Sequence, residues 1–162
     1  LKWLAKPVIW AVVIVMAAGI GLVKYYQAVQ RDYWSDRHDV LERALAETPL
    51  ADADAVEPIH GEREAFVLFG TDGDGRELIV IVSDEVRFVY ADEGVSRNAV
   101  EVFWRQEHGD GKVIHTLPVL RGGDIVWEVF SLRPTEKGER YFYDYYRFAD
   151  GEWLETLTLS LK

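Results

Sequence analysis

The segment Glu139 to Trp153, ERYFYDYYRFADGEW, limits the fold of this chain more than any other. Six of the eight residues from Tyr141 to Phe148 are aromatic. Successive side chains of a strand point to opposite faces. One face therefore carries Tyr141, Tyr143, Tyr145 and Arg147, and the other carries Phe142, Asp144, Tyr146 and Phe148. A strand that is apolar on both faces belongs in the middle of a sheet covered on both sides. Leu78 to Val82, LIVIV, makes the same demand earlier in the chain.

These two strands occupy corresponding places in a repeated pattern. Residues 60–92 and 121–153 each begin with an acidic, Gly-containing turn that opens an apolar strand. Each continues through a polar Gly turn to Arg76–Glu77 or Glu139–Arg140, and then to the most apolar strand of the unit. A helix precedes each set of strands. The first is predicted over Tyr33 to Glu47, where Trp34, His38, Leu41 and Leu45 recur at helical spacing and Pro49 marks the stop. The second opens at Ser96, a good N-cap, with Val95 placed to staple onto Val100. Gly109 follows its end, and Ala99, Val100, Phe103 and Trp104 form its inner face.

Strands are predicted at Glu64–Phe69, Glu77–Val82 and Val86–Tyr90, then at Val113–Leu120, Asp124–Leu132, Arg140–Phe148 and Glu152–Leu159. In the last, Trp153, Glu155, Leu157 and Leu159 share one face, with Leu154, Thr156, Thr158 and Ser160 on a wetter one. The simplest cover for the second face of each apolar strand is the sister repeat.

Ahead of the repeats, Pro7 to Val23 contains no charged residue and is bounded by Lys6 and Lys24. About 17 to 25 apolar residues cross a bilayer as a helix. Trp3, Trp10, Tyr25 and Tyr26 flank the run as interface aromatics do. The expectation is an uncleaved single-pass anchor with the following domain outside the cell membrane. Lys and Arg are balanced across the span and leave orientation to the size of that domain.

Several kinds of chemistry find no support. A net charge of −10 argues against nucleic acid, which needs clustered Lys and Arg. The chain has no Cys, hence no disulfide, thiol nucleophile or thiolate metal site. GTDGDGRE at 70–77 places Asp72, Asp74 and Gly75 like a calcium loop, but Gly70 and Ile81 stand where its first and last acidic ligands belong. A hairpin turn explains it better. His38, His60, His108 and His115 lack metal-ligand spacing, and Ser96 lacks the nucleophile context GxSxG. Asp84–Glu85 and Asp92–Glu93 lie at turns, where solvated acids are expected. The reading is a non-enzyme without metal or cofactor. What stands out instead is aromatic area, the material of protein interfaces.

Four motifs in order, FGTDGDGRELIVIV at 69–82, DEGVS at 92–96, WEVF at 127–130 and ADGEW at 149–153, resemble the TseB-like proteins of Gram-positive bacteria, cell-wall elongation regulators. That resemblance implies an α+β fold: an N-terminal transmembrane helix, then two cystatin-like (PepSY-like) repeats, each a helix packed on a small antiparallel sheet. The corresponding boundaries are 1–31 for the anchor and juxtamembrane segment, 32–94 for the first repeat and 95–162 for the second. It also implies an accessory role beside a penicillin-binding protein in peptidoglycan synthesis at the cell membrane. No catalytic residue is carried over.

An anchored module would contact its partner through an aromatic sheet face or a groove between the repeats. Parity selects Tyr143, Tyr145, Arg147 and Trp153 for that contact. The alternative is an extracytoplasmic protease inhibitor or sensor, which needs a long tip such as LRPTEKGER at 132–140. An enzyme acting on wall polymers would need a carboxylate pair in a cleft.

Overall fold

Every residue from Leu78 to Val82 is buried. The computed structural model, which describes residues 37–59 and 64–158, shows what covers each face. Helix α1 has described residues 37–47. It is followed by β1 (Leu50–Ile59), β2 (Ala65–Asp72), β3 (Glu77–Val82) and β4 (Val86–Tyr90), an antiparallel sheet, sheet A, with its strands in chain order. Val40, Leu41 and Ala44 of α1 pack on the even-numbered face, against Leu68, Leu78, Val80 and Val82. Thr48 ends the helix: its N–H and hydroxyl both donate to the Ala44 carbonyl, at 3.1 and 2.7 Å. Arg43 Nη1 donates to the Ser83 carbonyl at 2.9 Å, tying α1 to the β3–β4 turn.

The odd-numbered face of sheet A, with Val67, Ile79 and Ile81, joins the main core, which belongs largely to the second repeat. There α2 (Arg97–His108) precedes β5 (Lys112–Arg121), β6 (Asp124–Thr135), β7 (Gly138–Arg147) and β8 (Trp153–Thr158), again antiparallel and in chain order as sheet B. Val100 and Trp104 are fully buried on α2 and meet Trp127, Val129, Tyr146 and Phe148. Ser96 caps α2 as expected, its Oγ accepting from the Ala99 N–H at 3.2 Å. Gly109 has φ −26°, so the helix leaves without a left-handed residue. Thus α1 covers one face of sheet A and the second repeat covers the other.

Both faces of the aromatic strand β7 are accounted for. Asp144 and Tyr146 lie beneath α2, with Phe148 just past the strand end in the same core. On the opposite face Tyr145 packs with Val119 and Val126, with Tyr143 beside them. Tyr143 and Tyr141 also stack on Phe130, with ring centres at 4.5 and 5.3 Å. This second face is only partly covered.

Three details depart from the sequence reading. β1 is a full strand where none was expected, because its Ala- and Asp-rich sequence has low strand propensity and is held by pairing with β2. The 132–140 tip is no long loop: Arg133 pairs with Arg140 and Thr135 with Gly138, leaving a two-residue turn. In β8 the expected wet face is inverted at Thr156, which is half-buried and hydrogen-bonds to the buried Asp144, while Trp153, Leu154 and Leu157 are exposed. Thr156 sits directly opposite Asp144 and so shares its face beneath α2, and a register shift between Tyr145 and Tyr146 brings Trp153, opposite Tyr146, to that side as well. The expected membrane helix at Pro7–Val23, residues 33–36 of the first predicted helix, His60 and Leu159 lie outside the described residues. No helix among the described residues is long and apolar enough to cross a membrane.

Candidate functional site: a groove between the two sheets

The segment joining the repeats is pinned to sheet B. The Val95 N–H donates to the Phe148 carbonyl at 2.9 Å, and Trp127 Nε1 donates to the Val95 carbonyl at 2.9 Å. Trp127 and Phe148 stack with centres 6.0 Å apart. A Cβ on Gly94 would collide with the Phe148 carbonyl oxygen and ring, so only glycine allows this approach. The pinned segment stands off part of sheet A and leaves a groove of about 750 Å³. That lies within the ~300–1,000 Å³ range of ligand sites.

Phe69 and Ile79 from sheet A form the apolar floor, and Val95, Trp127 and Phe148 form the facing wall. The rim is charged. Arg76 Nη2 lies 2.6 Å from Asp92 Oδ1 and 3.2 Å from Glu93, with its guanidinium 3.6 Å above the Tyr90 ring. The hydrogen bonds from Arg76 hold the Asp92 carboxyl below the usual carboxylate range. Arg97 lies 3.6 Å from Glu57 and over the Phe69 ring at 5.1 Å. Asp54 and Glu77, also on the rim, form no ion pair with other described residues. Both groove arginines are therefore engaged, and two carboxylates remain uncompensated.

The four residues selected by parity do not line this groove, and they do not form one patch. Tyr143 and Tyr145 share the face away from α2, but Tyr145 is only 6% exposed. Its hydroxyl donates to Glu128 Oε2 at 2.9 Å and Arg121 covers its ring at 4.2 Å, so it is not free to seat a partner. Burial and the Glu128 carboxylate push the Tyr145 hydroxyl well above its ordinary pKa. Arg147 is exposed and pairs with Asp150 and Glu152 at 2.9 and 2.7 Å. The register shift at Tyr145/Tyr146 carries Trp153 to the α2 side, beside Phe103 and Tyr146.

Sequence reasoning named Trp127 among the aromatics and foresaw a groove between repeats, but missed Asp54 and Glu57. Both stand on β1, whose alternating Ala and Asp residues lack the β-branched and aromatic side chains that mark a strand.

Catalytic or metal chemistry finds little material. Among the described residues no group of three His, Cys, Asp or Glu is placed to hold a metal. Asp72 Oδ1 accepts from the N–H groups of Asp74 and Arg76, both at 2.9 Å, and so builds the β2–β3 turn. The buried Asp144 is held by Trp104 Nε1 at 2.8 Å and Arg133 Nη2 at 3.0 Å. It closes the core beneath α2 rather than facing a cleft.

Residues 41–83 match the cell wall elongation regulator TseB-like domain. No curated protein matches the chain. Among solved structures, the YpmB protein from Bacillus subtilis superposes with a TM-score of 0.65 at 27% identity, over 75% of this chain and 96% of that one. The matched region holds α1 from Leu41 to the end of β3 and includes the groove residues Asp54, Glu57, Phe69 and Ile79. The resemblance drawn from the sequence motifs is borne out, and the matched domain supports a role in the regulation of cell wall elongation.

Proposed function

We propose, from the premise that residues 41–83 carry a TseB-like cell wall elongation regulator domain, that this chain is a non-catalytic binding module held at the outer face of the cell membrane by its apolar N-terminal segment. It acts as an accessory regulator of a wall-synthesis enzyme, a penicillin-binding protein, during elongation. The observation that carries this reading is the groove between sheets A and B, whose floor belongs to the matched domain. Confinement to the membrane surface raises the effective concentration of the module toward another anchored protein, so a modest groove suffices for occupancy.

The protease-inhibitor reading is weaker, because the 132–140 segment is a closed hairpin with a two-residue turn and offers no long loop to a protease cleft. The test replaces the native copy with Ala55→Trp, which places a large ring on the β1 lip of the groove. Cells should show the elongation defect of a strain lacking the protein, with the variant still present at the membrane. Normal elongation with a filled groove overturns the reading.

A further inference from the structure

We infer that the groove receives an extended, basic segment of its protein partner, seated by an apolar side chain between Phe69 and Trp127 and by Lys or Arg groups against Asp54 and Glu77. This deepens the reading above and rests on it. Charge decides among occupants. The rim presents Asp54, Glu57, Glu77 and Asp92 against Arg76 and Arg97. Both arginines are already paired, so among the described residues an acidic ligand finds no free cation at the rim, whereas a basic one finds two carboxylates, Asp54 and Glu77, without an ion pair. The chain as a whole carries −10, which disfavours a second copy of itself and an anionic lipid surface.

The fold favours an extended occupant. β1, which supplies Asp54 and Glu57, is the outermost strand of sheet A among the described residues. The lining runs from Asp54 on β1 past Phe69 on β2 to Glu77 on β3, a span of about 10 Å across the strands that an extended segment covers in about three residues, its alternate side chains facing the floor. The register shift between Ala53 and Ala55 and the acids on β1 discourage indiscriminate pairing and select a basic strand.

The experiment uses the full chain in zwitterionic nanodiscs, with empty nanodiscs as the blank. Three eight-residue probes are titrated: alternating lysine and leucine, alternating glutamate and leucine, and alternating lysine and serine. Binding is followed by the methyl NMR shifts of Ala55, Ile79 and Val95. The lysine–leucine probe should bind at least tenfold more tightly than either other probe and move these methyls. Asp54→Asn with Glu77→Gln should weaken it severalfold and flatten its salt dependence while leaving Tm unchanged, because neither carboxylate forms an ion pair among the described residues.

Equal binding of the glutamate probe, no effect of the double variant, shifts confined to the Phe130–Tyr143 face, or self-association of the chain that displaces the probe would each overturn the inference. These results are separable from the elongation test. Loss of function on filling the groove, with no preference for basic probes, removes this inference alone. A clear preference with normal elongation in Ala55→Trp cells removes the regulator reading.

Discussion

Trp104 Nε1 donates to Asp144 Oδ2 at 2.8 Å, joining α2 to β7 through a carboxylate with no solvent exposure. Arg133 Nη2 reaches the same carboxylate at 3.0 Å, and its guanidinium lies over Phe142 at 3.9 Å. A buried charge is tolerated when it is paired and fully hydrogen-bonded. Asp144→Asn leaves Arg133 uncompensated and should cost about 3–5 kcal/mol. Trp104→Phe removes one donor and should cost about 1–3 kcal/mol. Urea denaturation of each variant measures both.

His108 stands beside this network. Arg133 only donates, so the 2.9 Å contact from its Nη1 makes His108 Nε2 an acceptor, and the ring is neutral there. Burial, then the charge of Arg133, lowers the His108 pKa, with Asp144 and Glu107 opposing. A histidine whose folded pKa is depressed adds stability that is complete above its unfolded value, about 6.5. That stability is lost as pH falls through the folded value. Tm should therefore drop on acidification from pH 7 to 5, and His108→Gln should flatten that part of the profile. An identical profile in the variant would show that His108 does not titrate in this way.

Gly94 has φ −149° and ψ −173°, an extended conformation open to any residue, so its requirement for glycine is steric. In Gly94→Ala the new methyl meets the Phe148 carbonyl, which cannot rotate away as the ring can. The linker should lift from sheet B at a cost of about 1–3 kcal/mol. Hydrogen exchange should quicken at the Val95 amide, which donates to Phe148, while α1 and its sheet keep their protection.

The elements legible in the sequence were those whose side chains announce themselves. LIVIV and the aromatic run required cover on both faces, Ser96 marked the start of α2, and the paired helix-and-strand pattern gave the two sheets. β1 was not legible, because Ala, Asp and Glu hold strand geometry there only through pairing with β2. Parity placed Tyr143 and Tyr145 on one face, but could not anticipate the register shift that moved Trp153 to the other. The groove is a tertiary product of a strand without a sequence signature and a linker pinned by Trp127. Its aromatic wall was visible beforehand and its acidic lip was not.

The most direct test of the account is in-cell photo-crosslinking from position 54 on the groove rim, with Tyr143 on the open face of sheet B and Glu136 at the hairpin tip as comparison positions. Position 54 should capture a penicillin-binding protein, and Ala55→Trp should abolish that capture. Capture of that enzyme only from Tyr143 or Glu136, or capture from position 54 that survives a filled groove, would contradict the account.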